Sequence, residues 1–357
     1  MSSALTDLCR YPIVQAPMAG GTSCPQLVAA VSEAGGLGFL AAGYKTADGM
    51  YNEIKQLRGL TGQPFGVNLF MPQPGLADPS AVEVYQHQLA GEAAWYETPL
   101  GDPDSGGDDN YDAKLAILLE DPVPAVSFTF GCPTRDTLDA FAAVGTYTVV
   151  TVTTPEEAQT AQWAGADAVC VQGIEAGGHQ STHRDDPQTD GAGIGLLSLV
   201  SQVRETVQIP IVATGGLMRG SQIAAVLAAG AEAAQLGTAF LVCPESGASP
   251  LHKQALTNPL FVRTALTRAF SGRPARGLVN RFMREHGPYA PAAYPQVHYL
   301  TAGLRKAAAK AGDAQGMALW AGQGHRMARE LSAGRLVRLL AEELDAARAA
   351  VSTGSTQ

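Results

Sequence analysis

The segment Gln172-Gly173-Ile174-Glu175-Ala176-Gly177-Gly178-His179 puts an imidazole directly after two glycines at the end of a short apolar run. A neutral imidazole placed there can accept a proton from a carbon or nitrogen acid near neutral pH; a purely structural histidine is the competing reading. His183 follows at a spacing that would suit two metal ligands on a helix. Gly177, Gly178 and Asp185-Asp186-Pro187 instead make this stretch a loop, and the glutamate of H-E-x-x-H is missing, so no metal is expected. Two more glycine turns close apolar runs, Thr214-Gly215-Gly216-Leu217 and Gln235-Leu236-Gly237-Thr238. Each alone would serve a tight strand-to-helix connection, but together they read as a phosphate cradle of backbone N–H groups. A helix beginning near Arg219 would add its N-terminal dipole. Asn68 interrupts the run Gly66-Val67-Asn68-Leu69-Phe70, either to cap a loop or to hydrogen-bond a planar ligand.

These residues need a scaffold that gathers strand ends. Apolar runs occur at Ile13 to Ala16, Gly38 to Ala42, Phe65 to Phe70, Ala125 to Phe130, Thr148 to Val152, Ala168 to Val171, Ile211 to Thr214 and Ala233 to Leu236. Most neighbours are separated by a helical pattern, as at 25–34. Continuous apolarity is expected of strands buried on both faces, and strand-helix alternation signals a parallel sheet. Eight units in about 240 residues match an α/β fold, the TIM (β/α)8 barrel, whose active site lies at the C-terminal strand ends with phosphate held after the last two strands. A doubly wound sheet is the alternative, but Pro17-Met18-Ala19-Gly20-Gly21-Thr22-Ser23 follows the first strand where G-x-G-x-x-G would be expected.

Outside the repeat, the acidic stretch 97–112 reads as a solvated loop, because Asp102, Asp104 and Gly106 depart from calcium-loop spacing. Past Cys243 the strands are expected to stop, leaving an appended, mainly helical layer on the substrate side of the barrel. Its Tyr294, His298, Tyr299 and Lys306 either shape a substrate lid or lie on the surface. The expected division is a barrel over 1–243, a helical insertion over the mouth at 244–322, and a segment 323–357 whose helix, from about Met327 to Ala350, packs back on the barrel with its charges outward.

Composition sets the outer bounds. The chain has 357 residues, 46% hydrophobic and 16% charged, with 40 Gly and 22 Pro, which describes a turn-rich globular protein and excludes disorder. A net charge of -9 gives no basic footprint for nucleic acid or an anionic membrane. Cys9, Cys24, Cys132, Cys170 and Cys243 form no C-x-x-C pair, so neither disulfides nor zinc are indicated and a reducing cytoplasm is the expected location. The start lacks a secretory pattern, and the longest apolar stretch, Ile223 to Cys243, contains Glu232 and Gln235, as a buried helix and strand would.

Across most of its length the sequence resembles nitronate monooxygenases, formerly called 2-nitropropane dioxygenases, most closely the bacterial class I type. The resemblance is carried by Gln15-Ala16-Pro17-Met18-Ala19-Gly20-Gly21, the strand containing Asn68, the loop ending in His179, and Gln235-Leu236-Gly237-Thr238-Ala239-Phe240. Later segments add Ser271-Gly272-Arg273-Pro274-Ala275-Arg276-Gly277 and Leu319-Trp320-Ala321-Gly322-Gln323-Gly324. It implies a barrel holding FMN without a covalent link. Backbone at Ala16, Pro17 and Met18 would line the flavin, Asn68 and Gln172 would hydrogen-bond it, and Gly177, Gly178, Gly215, Gly216, Gln235, Leu236, Gly237 and Thr238 would hold the ring side and phosphate. Gln323 would lie nearby. His179 would be catalytic, as a base toward nitroalkanes or as a positioning group for a nitronate, with Tyr299 or Lys306 meeting a substrate carboxylate.

The implied reaction turns a nitronate, in this family propionate 3-nitronate, and O2 into a carbonyl compound and nitrite, in a monomer or homodimer. Gln180, Leu217 and Leu236 depart from the family pattern and bear on substrate preference rather than on the flavin. Two alternatives share the barrel: a flavin-dependent enoyl-acyl-carrier reductase using NAD(P)H, and a non-catalytic flavin-binding protein.

Overall fold

A computed structural model describes residues 5–73 and 78–354 of the chain. The outermost ends of the expected first and last segments, 1–4 and 355–357, lie outside the described residues. The strands in chain order are β1 (Ile13–Gln15), β2 (Leu37–Ala41), β3 (Phe65–Phe70), β4 (Ala125–Thr129), β5 (Tyr147–Val152), β6 (Ala168–Gln172), β7 (Gly178–His179), β8 (Ile211–Thr214), β9 (Ala233–Leu236), β10 (Thr264–Thr267) and β11 (Ala275–Leu278). All but β7, β10 and β11 form a closed parallel barrel in the order β1-β2-β3-β4-β5-β6-β8-β9. It closes where Val14 of β1 pairs with Gln235 of β9.

Alternation along each strand explains the continuous apolar runs. Ile13, Val67, Val126, Val150 and Ile211 pack outward against the helices, where Leu27, Ile54 and Phe141 meet them. Val14, Phe39, Val149, Cys170 and Val212 gather with Leu5 and Leu8 near the strand N-termini, filling that end of the barrel. The open end is therefore at the strand C-termini. Gln15, fully buried at the end of β1, knits this rim together. Its Nε2 donates to Ser23 Oγ at 2.9 Å, and Ser23 Oγ accepts the Met18 N–H at 2.8 Å, which sets the turn after β1.

Four expectations change. The strands do not stop at Cys243: β10, β11 and β7 build a three-stranded antiparallel sheet in the order β10-β11-β7. Its strands are short and rich in Arg, Thr and Gly; β10 and β11 form a local hairpin, as Thr267 pairs with Ala275, β7 joins from far along the chain, as His179 pairs with Ala275, and no local apolar alternation announces any of them. The layer over the mouth also recruits the connection between β3 and β4. Val82, Tyr85 and Leu89 share a core with Phe270, Phe282, Leu300 and Leu304, and Tyr85 Oη donates to the Ala269 carbonyl at 2.8 Å.

The third change lies in the acidic loop, which is not wholly solvated. Asp102 and Asp104 are exposed, but Asp109 accepts the Tyr44 N–H at 2.8 Å and pairs with buried Lys114 at 2.7 Å. Lastly, the C-terminal helix starts at Ala333, and the stretch His325–Met327 is a separate 3-10 turn. Arg329 and Glu343, expected on its outer charged face, pair with each other. Glu343 Oε2 also accepts the Gly220 N–H at 2.8 Å, so a carboxylate already caps the helix Gly220–Ala228 whose N-terminus was expected to face a phosphate. No helix among the described residues is long and apolar enough to cross a membrane.

Candidate active site

The strand C-termini surround a cavity of about 420 Å³, within the usual size of a small-molecule or cofactor site. The first turn contributes Ala16, Pro17 and Met18, and the last turns contribute Gly215, Gly216, Gln235, Leu236, Gly237 and Thr238. Asn68, Gln172, Gly177, Gly178 and His179 complete the set from β3, β6 and the β7 loop. Three expected residues are not on this wall. Gln323 lines an adjoining recess of about 340 Å³ that shares Gly215, Gly216 and Leu217. Tyr299 turns its ring onto Gly106 of the acidic loop. Lys306 is exposed, while its neighbour Arg305 faces the cavity. On a helix adjacent residues point about 100° apart, so a basic pair in sequence does not say which member faces inward.

Side-chain amides near the strand ends differ in what they leave free. Asn68 Nδ2 donates to Ser127 Oγ at 3.0 Å and Thr129 Oγ1 at 2.9 Å, while its Oδ1 accepts nothing from the described residues. Gln172 is committed to the protein: Nε2 donates to the His179 carbonyl at 3.1 Å and Oε1 accepts the Ser181 N–H at 2.8 Å. It clamps both ends of the histidine segment. His183, the second histidine of the spacing, bonds the Thr151 carbonyl at 3.0 Å.

His179 sits in an aromatic collar. Phe130, Tyr294 and Trp320 lie 5.7, 5.6 and 5.6 Å from its ring. Phe130 itself has φ of 74°, a left-handed backbone that a bulky residue rarely adopts, and the Arg273 guanidinium stacks on it at 4.2 Å. Burial, reinforced by the charges of Arg273 and Arg305, lowers the His179 pKa to about 3. The ring is neutral across the physiological range. His298 is lowered further, to about 2, by burial and by Arg305 and His179. Sequence reasoning passed over Tyr44, Phe70, Phe130, Arg305 and Trp320, all of which line the cavity; four are aromatic and read as ordinary core.

Residues 2–343 match the family profile described as nitronate monooxygenase. The chain belongs to the nitronate monooxygenase family. A nitronate monooxygenase of Pseudomonas aeruginosa is 46% identical over 350 residues, 94% of this chain and 96% of that protein. A nitroalkane oxidase from Streptomyces ansochromogenes, known as a crystal structure, is 75% identical and superposes with a TM-score of 0.96 over 98% of this chain and 100% of that one. FabK of Thermotoga maritima is more distant, at 28% identity and a TM-score of 0.74 over 99% of both chains. As a nitronate monooxygenase family member the chain is an oxidoreductase of a flavin-dependent family that oxidises nitro compounds.

Proposed function

We propose that this enzyme uses FMN and O2 to convert alkyl nitronates into carbonyl compounds and nitrite, with propionate 3-nitronate the favoured substrate and neutral nitroalkanes a further class. The observation that carries this reading is charge. In a protein of net charge -9, Arg305 is the only ionic side chain among the described residues lining the cavity, and no carboxylate lines it. Its Nη2 donates to the His298 carbonyl at 2.7 Å and its Nε to Thr301 Oγ1 at 3.2 Å, but no acidic residue pairs with it among the described residues. Such a cavity favours an anion, and a nitronate is one.

The residues present fit a flavin. Gly178 has φ of 76° with no atom within 4 Å of where a Cβ would stand. The N–H groups of Gly216 and Gly237 donate to no carbonyl among the described residues, and Asn68 Oδ1 is free to accept a ring N–H. In this reading Asn68 and Gln235 hold the ring edge, Ala16 to Met18 back its face, and Gly215, Gly216, Gly237 and Thr238 take the phosphate. Bound FMN would supply an electron acceptor for the electron-rich nitronate and a donor to O2. The chain's own part is to bind and orient the anion at Arg305 and neutral His179 and to keep water out with Phe70, Phe130 and Trp320. The setting is a small-molecule reaction in the cytoplasm, in a monomer or homodimer.

An anaerobic flavin spectrum titrated separately with propionate 3-nitronate and NADPH tests the reading. Bleaching by the nitronate, with nitrite released on admitting air, is expected. Rapid bleaching by NADPH with enoyl-thioester turnover would select the reductase instead, and no bleaching by either would leave a flavin-binding protein.

A further inference from the structure

We propose that Tyr44 is a substrate-binding residue whose hydroxyl joins Arg305 in a two-point donor site for a carboxylate at the end of the substrate remote from the nitro group, so that the cavity selects nitro compounds that carry an acid. The proposal deepens the nitronate reading and rests on it for the reacting end, though not for the carboxylate.

Tyr44 follows β2 with φ of 65°, a left-handed backbone that a bulky side chain rarely adopts and that persists only where its surroundings over-determine it. Three contacts do so here. Its N–H donates to Asp109 Oδ1 at 2.8 Å, and Asp109 is itself held by buried Lys114. Its ring lies flat on His298 at 4.0 Å and meets the edge of Phe70 at 5.4 Å. The hydroxyl is thereby fixed in a residue that lines the cavity. Tyr294 Oη donates to it at 3.0 Å, which uses one of its lone pairs and leaves its own proton with no acceptor among the described residues. Burial pushes the Tyr44 phenol up, so that proton stays in place.

Arg305 is in the same condition. Its Nη2 and Nε are spent on the layer, while Nη1 donates to nothing among the described residues. Of the charged side chains, Arg305 acts most strongly on the Tyr44 hydroxyl, and it grips the carbonyl of the histidine stacked on Tyr44. Two uncommitted donors in a cavity that no carboxylate lines are satisfied by an anion with two oxygens on one carbon, one accepting from Nη1 and the other from Oη. Tyr294 spans the interval to His179, with its ring 5.6 Å from the imidazole and its hydroxyl on that of Tyr44. A nitro group placed at His179 therefore leaves the donor pair to the other end of the substrate. A nitronate without an acid there leaves two buried donors unpaired and binds more weakly.

Binding can be read without turnover by titrating FMN-loaded protein with succinate, in which a second carboxylate replaces the nitronate group, and following the flavin absorbance. Tyr44→Phe keeps the ring on His298 and should weaken succinate about tenfold. Tyr294→Phe, which keeps the Tyr44 hydroxyl, should weaken it much less. In steady state Tyr44→Phe should raise the KM for propionate 3-nitronate about tenfold more than the KM for propyl-1-nitronate, with kcat little changed. Failure of the unsubstituted protein to bind succinate, equal losses in the two variants, or an equal rise in both KM values would overturn the proposal. If propionate 3-nitronate fails to reduce the flavin while succinate binding depends on Tyr44, the nitronate reading falls and the carboxylate site stands.

Discussion

The ring of His298 lies flat on that of Tyr44, with centroids 4.0 Å apart and 4° between the planes. Tyr44 lines the cavity and shares a 3.0 Å hydrogen bond with Tyr294, while Arg305 grips the His298 carbonyl. One stack thus ties the barrel rim to the layer above it, and it requires His298 to stay uncharged beside Arg305.

That requirement has a pH signature. His298, His179 and His252 are lowered to about 2, 3 and 4, chiefly by burial, whereas an unfolded histidine titrates near 6.5. Between about pH 4 and 6.5 the unfolded chain binds more protons, so stability is complete above 6.5 and is lost as pH falls through this window. Each histidine adds up to about 1.4 kcal/mol per pH unit to the slope. His298→Phe keeps a flat ring on Tyr44 and should make the slope shallower by about that amount, measured by urea unfolding at several pH values between 4.5 and 6. An unchanged slope would mean that His298 is charged in the fold.

Arg305 is expected to act on binding more than on flavin retention. Losing one charged hydrogen bond, worth about 1.5–3 kcal/mol, should raise the KM for an anionic nitronate by about 10- to 100-fold in Arg305→Met. Flavin content should hold, because Arg305 belongs to the layer and the glycine turns to the barrel. Parallel steady-state and absorbance measurements check this; an unaltered KM would remove Arg305 as the anion partner.

Gly216 has φ of 68°, and a Cβ there would stand 3.1 Å from Glu175 Cβ. Gly216→Ala therefore carries roughly 1–2 kcal/mol of backbone strain and disturbs the N–H groups of the turn. FMN affinity should fall by about tenfold or more, read from flavin fluorescence released on dilution. Retained affinity would show that the phosphate is held elsewhere.

The barrel was legible because burial on both faces of a parallel strand leaves a local trace: the runs Ile13 to Ala16, Phe65 to Phe70, Ala168 to Val171, Ile211 to Thr214 and Ala233 to Leu236 all became barrel strands. Glycine turns were legible for a similar reason, since Gly178, Gly215 and Gly216 take positive φ that few other residues adopt. The sheet β10-β11-β7 was not, because its strands of two to four residues carry no apolar period and β7 joins β11 from nearly a hundred positions away. Lys306 in place of Arg305 was a matter of helix phase, which a packed neighbour sets.

The residue types alone determined which groups are available at the strand ends: an imidazole after two glycines, amides inside apolar runs, and turns that free backbone N–H groups. Tertiary structure decided what those groups are. It set His179 within reach of the charges of Arg273 and Arg305, put Ser271 against one ring nitrogen, and committed Gln172 to the loop while leaving Asn68 Oδ1 open. Protonation state, tautomer and hydrogen-bond vacancy depend on atoms brought within a few ångströms from distant parts of the chain, and no spacing along the sequence encodes them.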